Sequence, residues 1–392
     1  MQTRICVTEN LLPRMLLLAV FVLPGQAPAE TMDDHALELF SQDYQEARNK
    51  FLDAAHAQGL LETSFQLPET GPDGLSLYMD AVRIGAPSAH TLVIIASGIH
   101  GVEGFAGSAI QTGLLQQGVL SQLPPEVTVL MLHAVNPYGF AHLRRVNEDN
   151  IDLNRNFIDH ASTYPVNAGY AELADAIAPQ SLSAWNNLKA WTRLLWYGLL
   201  NSKAELQRAI SGGQYTHPKG LFYGGNAASW TSAILAELTR SQLAQAQRVV
   251  YIDIHTGLGA HGEVEIIANY PDDSPQYRRA TQWWGQRVRT PQTGESVSVP
   301  LHGTLNQALE SMLERNDLLA VAMEFGTRPT ISVFRALRSE NWLHHYGGVD
   351  HPNGARVRQE LLDVFYPLDE QWRLAVWRQG RDIVMQALAN LQ

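Results

Sequence analysis

Five short runs of consecutive apolar residues dominate the hydropathy pattern, and each has the length of a buried strand. They cover residues 91–97, 127–135, 248–254, 264–269 and 318–325. Apolar residues at helical spacing alternate with these runs and predict helices over residues 105–118, 273–289 and 304–315. Continuous apolar strands separated by helices are typical of a sheet that is covered on both faces. The pattern therefore predicts an α/β fold.

The segments outside this alternation have patterns of their own. Residues 33–59 have a helical pattern, and residues 61–85 predict a hairpin with a Pro- and Gly-rich turn. The tryptophan-rich stretch 160–247 is interpreted as a helical insertion, because strands resume directly after it. Residues 357–391 are predicted to be helical with a break at Pro367. A single domain over residues 30–392 accommodates all of these elements.

The first 29 residues have the pattern of a cleaved signal peptide. Arg4 and Arg14 precede an apolar run over residues 15–23, and small residues two apart follow at Ala27 and Ala29. The run is shorter than the ~20 residues of a transmembrane helix. We expect cleavage after Ala29 and a secreted or periplasmic protein, with no membrane span in the mature chain.

Composition narrows the classes of function. The chain has 392 residues, a net charge of −11, 45% hydrophobic residues and 17% charged residues, values that exclude an intrinsically disordered chain. The acidic balance offers no electrostatic surface for nucleic acid. The only cysteine, Cys6, lies in the predicted signal peptide. A metal site in the mature chain must therefore use histidine, aspartate and glutamate.

The strongest local motif follows the first apolar strand. The sequence Ser-Gly-Ile-His-Gly-Val-Glu-Gly-Phe-Ala-Gly-Ser over residues 97–108 places His100 and Glu103 three residues apart at a strand-to-helix turn. That spacing can direct an imidazole nitrogen and a carboxylate at one cation. The glycines allow a sharp turn and leave space above the sheet. A His-x-x-Glu pair alone is also common by chance.

A second group of polar residues follows the next strand. Arg145 precedes the string Asp-Leu-Asn-Arg-Asn-Phe at residues 152–157, which contains Asn154 and Arg155. Open α/β sheets bind ligands at the carboxyl ends of their strands, and arginine forms a planar donor fork for carboxylates and oxyanions. Surface salt bridging is the alternative explanation for these arginines.

Two later strands end in residues that suit a catalytic centre. His255 ends the strand at 248–254, and Asp253 lies two residues earlier on the same face, where it can orient the imidazole. A buried structural histidine is the alternative. The strand at 318–323 leads into Glu324, a carboxylate whose burial is unfavourable unless it is paired or functional.

Together these motifs contain two histidines and one glutamate, a recurrent zinc set that leaves a fourth position for water. With its motifs in this order along the sequence, the chain resembles the zinc carboxypeptidase superfamily (M14-like). This superfamily includes the metallocarboxypeptidases and the aspartoacylase/succinylglutamate desuccinylase deacylases. More narrowly, the 97–108 motif resembles a bacterial DUF2817-type branch. The resemblance covers residues 85–330 and implies a mixed, mostly parallel sheet between helices.

The resemblance also implies residue roles. His100, Glu103 and His255 would ligate one Zn²⁺ ion, and Glu324 would act as general base and then as general acid. Arg145 would polarise the scissile carbonyl and stabilise the oxyanion. A free carboxylate of the substrate would be held by Asn154 and Arg155.

The implied substrate is a small peptide or an N-acyl amino acid with a free carboxylate. A metallocarboxypeptidase is the leading hypothesis, an N-acyl amino acid deacylase is the alternative, and a non-catalytic anion-binding protein on the same fold is the rival. The sequence departs from the peptidase pattern because no tyrosine lies between Tyr277 and Glu324. His302 lies in that region and is a candidate substitute. The remaining histidines are interpreted as structural or surface residues, among them His133, His142, His217, His344 and His345.

Overall fold

The computed structural model describes residues 35–243, 246–313, 317–348 and 350–391. The predicted signal peptide, 1–29, lies outside them. Within these ranges the chain forms eight strands: β1 (Glu62–Thr70), β2 (Ser76–Ile84), β3 (Thr91–Ser97), β4 (Val127–His133), β5 (Arg248–Gly257), β6 (Val264–Ile267), β7 (Val288–Arg289) and β8 (Asp317–Gly326). The α-helices are α1 (Tyr44–Ala57), α2 (Gly104–Gln116), α3 (Pro137–Ala141), α4 (Ala168–Ile177), α5 (Ala184–Asn201), α6 (Lys203–Ser211), α7 (Trp230–Leu238), α8 (Pro275–Trp284), α9 (Leu305–Met312), α10 (Thr330–Trp342), α11 (Gly354–Phe365) and α12 (Glu370–Ala389).

All eight strands belong to one sheet in the order β1-β2-β4-β3-β5-β8-β6-β7. The four central strands, β4, β3, β5 and β8, are parallel to one another. The hairpin β1–β2 adds antiparallel strands at one edge, and β6 runs antiparallel to β8 near the other. The sheet is therefore mixed and mostly parallel, as the sequence predicted.

The central strands are buried on both faces. Every residue of β3 and β4 is buried, so side chains of both alternating sets contact apolar neighbours. Buried apolar residues form one cluster on each side of the sheet. This arrangement explains why these strands have continuous apolar sequences rather than an alternating pattern. It also leaves the carboxyl ends of β3, β5 and β8 side by side in register.

The predicted strands and the hairpin are confirmed, while several helix limits differ. A helix predicted over residues 33–59 begins only at α1, where the Asp43 side chain accepts a hydrogen bond from the Glu46 backbone N–H at 2.8 Å. An N-cap of this kind starts a helix because it satisfies a free backbone donor. The helix predicted over residues 273–289 ends at Trp284, and β7 follows. The predicted break at Pro367 separates α11 from α12.

Between β4 and β5 the chain contributes helices rather than sheet strands. The stretch 160–247 contains α4 to α7, and the aromatic side chain of Trp191 in α5 packs edge-on against Phe334 in α10. The interpretation of this stretch as an insertion in a single domain stays a prediction. Among the helices of the described ranges, none has the length and apolar character required to cross a bilayer.

The burial of His133 predicts how the stability of the fold depends on pH. His133 is fully buried, lies 2.9 Å from Ser108 Oγ through Nε2, and stacks on Phe51. Burial lowers the pKa of His133 to about 4, although Asp80 acts in the opposite direction. Below its ordinary pKa of ~6.5, this histidine gains a proton in the unfolded chain but not in the folded one. Stability is therefore lost as the pH falls from about 6.5 towards 4.

We expect the His133 contribution to the free energy of unfolding to fall by roughly 2 kcal/mol between pH 7 and pH 5. Urea unfolding of His133→Gln at both pH values should show a smaller pH effect than in the wild type. The control His90→Gln removes an exposed histidine and should keep the full effect. An unchanged pH effect in His133→Gln would contradict the assignment.

Candidate metal centre

His100 and Glu103 lie on the turn that connects β3 to α2. The turn packs tightly against α3, because a Cβ atom on Gly101 would lie 2.0 Å from the carbonyl carbon of Gly139. The backbone N–H of Gly101 donates to the carbonyl oxygen of Arg145 at 3.2 Å. Only glycine permits this approach, which brings the Arg145 segment beside the turn that carries His100 and Glu103.

His255 lies at the end of β5 and faces the same point. Its Nδ1 lies 3.1 Å from Glu103 Oε2, and its Nε2 lies 2.9 Å from Asp253 Oδ2. Asp253 is two residues earlier on the same strand, so both side chains project from one face. The aspartate therefore holds one ring nitrogen and directs the other at Glu103.

His100 has the same arrangement with a different aspartate. Its Nε2 lies 3.0 Å from Asp152 Oδ1. Its Nδ1 lies 3.1 Å from Glu103 Oε1 but has no hydrogen-bond partner, although it is buried. The two imidazole rings are 5.0 Å apart between centroids. A buried ring nitrogen without a hydrogen-bond partner is available as a ligand for a metal ion.

His100, Glu103 and His255 form a buried cluster that can hold a metal ion. One ligand atom from each residue lies within 4.8 Å of the others. Two imidazole nitrogens and one carboxylate match the donor set of catalytic zinc sites. Aspartates on the outer ring nitrogens fit that assignment, since such partners set the tautomer and orientation of metal-binding histidines.

Electrostatics keep Glu103 ionised. Burial acts to raise the pKa of Glu103, but His100, His255 and Arg145 outweigh burial and lower it. The carboxylate also accepts hydrogen bonds from Arg145 Nη1 at 2.8 Å and from the Thr256 backbone N–H at 3.1 Å. The Glu103 carboxylate therefore stays negatively charged over the pH range in which proteins are stable.

Glu324 lies on β8 directly opposite His255 of β5. Its Oε1 accepts a hydrogen bond from the Leu258 backbone N–H at 2.8 Å. Burial, and then the charge of Glu103, raise the pKa of Glu324 to about 7, while His255 and Arg145 act in the opposite direction. A carboxyl group with such a pKa can accept or donate a proton near neutral pH.

Arg145 joins the metal-binding cluster to the Asp152 segment. Its Nη2 lies 3.2 Å from Asp152 Oδ2, in addition to the hydrogen bond to Glu103. Burial acts to lower the pKa of Arg145, but Asp152 and Glu103 outweigh burial and raise it. Arg145 therefore stays positively charged and lies beside Glu103 and Asp152.

Asn154 and Arg155 lie next to this cluster, and most of their polar atoms have partners. Asn154 Oδ1 accepts from the Leu305 backbone N–H at 3.1 Å. Arg155 donates through Nη1 to the Asn154 carbonyl oxygen and through Nη2 to that of Ser211. Its buried Nε has no partner. These two bonds use two of the five N–H donors of Arg155, so Nε–H and the second N–H of each Nη are not used by them.

Two residues of this neighbourhood were missed by sequence reasoning. Asp152 was part of the quoted string, but its contact with His100 connects residues 52 positions apart. Phe222, in the segment between α6 and α7, lies under both guanidinium groups, at 5.6 Å from Arg145 and 5.8 Å from Arg155. It has a φ of 55°, which is strained for a bulky residue. The glycines around it were the only sequence signal.

The candidate His302 is exposed and belongs to the loop that precedes α9. This loop contacts the Asn154 segment, because the Phe157 backbone N–H donates to the Gly303 carbonyl oxygen at 3.1 Å. His302 therefore lies on a loop beside the predicted carboxylate-binding residues, and its role stays a prediction. The histidines interpreted as structural or surface residues, His133, His142, His217, His344 and His345, are not part of the three-residue metal cluster.

Loss of the Asp152 carboxylate should weaken metal binding without removing a ligand. In Asp152→Asn, we expect Zn²⁺ affinity to fall by about 10- to 100-fold, because His100 loses the group that sets its tautomer. Competition with a chromogenic chelator measures this. The control Asp159→Asn changes an exposed aspartate nearby and should leave the affinity unchanged. Wild-type affinity in Asp152→Asn would contradict the orienting role.

Comparison with known proteins finds one matching family model and several solved structures with a similar fold. The family model described as "Protein of unknown function (DUF2817)" matches residues 40–379. No match is found among curated proteins. Bovine thrombin-activatable fibrinolysis inhibitor is similar in structure with 12% identity and a TM-score of 0.48, over 91% of this chain and 98% of that chain. Carboxypeptidase A from Helicoverpa armigera has 13% identity and a TM-score of 0.43, over 86% and 73%. An aspartoacylase family protein from Mesorhizobium loti has 13% identity and a TM-score of 0.36, over 74% and 68%.

Proposed function

The chain belongs to the DUF2817 family, and we propose that it is a zinc-dependent hydrolase that cleaves an amide bond next to a free carboxylate. The observation that carries the proposal is the buried set of His100, Glu103 and His255, whose ligand atoms converge within 4.8 Å. Each histidine also contacts an aspartate through its other nitrogen. Such a closed arrangement of partners supports a metal centre rather than a simple ion pair.

Zn²⁺ in this site would supply a Lewis acid that lowers the pKa of a water molecule and polarises the substrate carbonyl. The protein's part would be to hold the ion with three ligands, which leaves a fourth coordination position for water or substrate. His100 and His255 supply neutral nitrogen ligands, and Glu103 supplies the negative one.

Glu324 has the position and the charge balance of a general base. It lies on the strand adjacent to His255, and burial raises its pKa to about 7. The carboxylate would take a proton from the attacking water and then pass that proton to the departing amine. General acid–base catalysis of this kind contributes roughly 10²- to 10⁴-fold to a rate.

Arg145 would stabilise the negative oxygen that develops on the carbonyl carbon. Its Nη1 and Nη2 each carry a second N–H besides the one directed at Glu103 or Asp152, so Arg145 could donate to this oxygen and keep both ion pairs. Preorganised cations in a buried site are effective because they act in a low-dielectric environment. Asn154, with the free Nε of Arg155, would hold the substrate carboxylate.

We propose a metallocarboxypeptidase that acts on small peptides as the first version of this function. The alternative is an N-acyl amino acid deacylase. This alternative is supported by a departure from the peptidase pattern, since no tyrosine lies between Tyr277 and Glu324. A non-catalytic anion-binding protein is the third version, but binding alone gives no role to Glu324. The expected location is secreted or periplasmic, on the basis of the signal-peptide pattern over residues 1–29.

A matched pair of peptides tests the carboxylate requirement. With Zn²⁺ added, we expect a peptide with a free C-terminus to be cleaved at least about tenfold faster, as kcat/KM, than the same peptide with an amidated C-terminus. The expectation follows from the strength of charge-assisted hydrogen bonds to carboxylates. Mass spectrometry of the released amino acid measures the rate.

Parallel reactions with N-acetyl amino acids separate the two enzymatic versions. Release of acetate from these compounds, with no cleavage of peptides, would show that the peptidase version is wrong. Binding of the peptide to the zinc-loaded protein without any turnover of either class would instead support the non-catalytic version.

A further inference from the structure

The outer face of α5 is an exposed apolar surface. Six large residues on it are between 57% and 78% exposed: Trp185, Leu188, Leu195, Trp196, Leu199 and Leu200. They recur at spacings of three, four and seven residues, so they lie on one side of the helix. A contiguous apolar patch of this size on a protein surface marks an interaction site.

The segment that carries this face is cationic, although Glu172 and Glu205 lie just outside it and the whole chain carries a net charge of −11. Residues 176–204 contain no aspartate or glutamate but include Lys189, Arg193 and Lys203. All three cations are exposed, and Lys189 Nζ lies 5.2 Å from the ring centre of Trp185. One edge of the apolar face is therefore positively charged.

The opposite edge of α5 borders a cavity of about 470 Å³ that contains two further cations, Arg335 and Arg338 of α10. Arg338 is only 3% exposed, and its Nε and Nη2 have no hydrogen-bond partner. Its Nη1 donates to Asn187 Oδ1 at 3.3 Å, and its guanidinium lies 5.1 Å from the ring centre of Trp191. Within the described ranges, neither arginine forms an ion pair with a carboxylate.

Burying a charged guanidinium group without an anionic partner is energetically unfavourable, so an anion bound beside it would stabilise it. Burial, and then the positive charge of Arg335, lower the pKa of Arg338 to about 10. The lining of the cavity includes Arg335 and Ile331, which are both exposed, so an anion can reach the cavity from solvent.

We propose that α5 and the adjoining end of α10 bind the surface of an anionic phospholipid bilayer. In this arrangement α5 lies in the plane of the interface, with Trp185, Leu195 and Leu199 among the upper acyl groups. The cations on both edges, including Arg335 at the cavity entrance, contact lipid phosphates. A helix with tryptophan and leucine on one face and lysine and arginine beside them has the composition of interfacial helices.

Charge favours this occupant over a second copy of the chain. A second copy would bring the same three cations, Lys189, Arg193 and Lys203, to the contact between two α5 helices. No acidic residue of the stretch 176–204 is present to neutralise them. An anionic bilayer supplies the missing negative charge, and each basic residue near such a surface adds to the attraction.

Co-sedimentation of the full chain with phospholipid vesicles tests the proposal. We expect binding to vesicles of equal phosphatidylcholine and phosphatidylglycerol, and weak binding to pure phosphatidylcholine. The double variant Leu195→Ser, Leu199→Ser should lower the partition coefficient by about tenfold or more, because two apolar side chains are lost from the interface. The control variant Leu61→Ser, Leu368→Ser changes two leucines elsewhere that are at least as exposed as Leu195, and it should bind like the wild type.

A second pair of variants tests the charges. Lys189→Gln with Arg193→Gln should weaken binding to the anionic vesicles by about fivefold per cation. The control pair Arg240→Gln and Arg356→Gln removes two exposed cations at other places and should have little effect. All forms keep the N-terminal apolar run, so a difference between them reports on α5.

Three results would overturn the proposal. One is the absence of wild-type binding to the anionic vesicles, and another is an equal loss of binding in the α5 variants and their controls. The third is a wild-type dimer in light scattering that becomes monomeric in Leu195→Ser, Leu199→Ser without any vesicle binding. That last outcome would assign the face to a contact between two copies.

Discussion

The Glu324→Gln variant is expected to keep its metal and to lose turnover by about a hundredfold or more. Glutamine has nearly the same shape, and its carbonyl oxygen can still accept the hydrogen bond from the Leu258 backbone N–H. It cannot take a proton from water. The expected signature is a loss of kcat with an unchanged Zn²⁺ content, measured by steady-state kinetics and by metal analysis of the same sample.

The matched control is Glu265→Gln. Glu265 lies on β6 directly opposite Glu324 and is half-buried, but its carboxylate accepts hydrogen bonds from Ser296 Oγ and the Val297 backbone N–H. This variant should retain activity. If Glu324→Gln kept wild-type turnover, the base would have to be another residue. If it lost its metal, Glu324 would act by positioning the ligands rather than by proton transfer.

Glu103→Gln is expected to have an even larger effect, because it removes both metal binding and catalysis. Glu103 contacts His100, His255 and Arg145, so its charge is the centre of the cluster. Loss of a direct ligand should lower Zn²⁺ affinity by more than the roughly 100-fold upper value for outer-sphere partners. Competition titration with a chelator measures the affinity, and activity should be absent at equal zinc concentration.

Loss of a buried charge can also unfold a protein, so the control must remove one elsewhere. Asp80→Asn breaks a buried ion pair with Arg48, whose Nε lies 2.7 Å from Asp80 Oδ2. This variant should be less stable but should bind Zn²⁺ as the wild type does. Circular dichroism establishes that both variants are folded before titration. Wild-type Zn²⁺ affinity in folded Glu103→Gln would exclude Glu103 as a ligand.

The local parts of the fold follow from the sequence for a simple reason. A strand that is buried on both faces must be apolar throughout, so β3, β4, β5 and β8 are visible as continuous runs. Helix limits were less accurate, because a cap such as Asp43 or a short strand such as β7 depends on a few local hydrogen bonds.

The ligand candidates were also visible, since each one follows a buried strand. His100 and Glu103 follow β3, His255 lies near the end of β5, and Glu324 lies near the end of β8. The carboxyl ends of parallel neighbours meet at one edge of the sheet, and this brings His255 opposite Glu324. The convergence of His100, Glu103 and His255 is therefore a direct consequence of the strand order β3-β5-β8.

The surroundings of these residues were decided only by the tertiary structure. Asp152 reaches His100 across 52 positions, and the approach of Gly101 to Gly139 places Arg145 against Glu103. Phe222 comes under both arginines from the segment between α6 and α7, where the neighbouring glycines were the only sequence signal. Contacts of this kind depend on loop packing between distant segments, which leaves no periodic pattern in the sequence.

The exposed face of α5 likewise separates what the sequence determines from what only the tertiary structure determines. Sequence alone reveals a tryptophan- and leucine-rich helix, a composition that suits a buried element equally well. Only the packed structure shows that Ala190 and Leu194 face inward while Leu195 and Trp196 remain in solvent. Strand identity and ligand candidates were thus determined by local sequence, because burial acts on each strand separately. The partners of each ligand and the free surfaces were determined by the tertiary structure, because they depend on which distant segments come into contact.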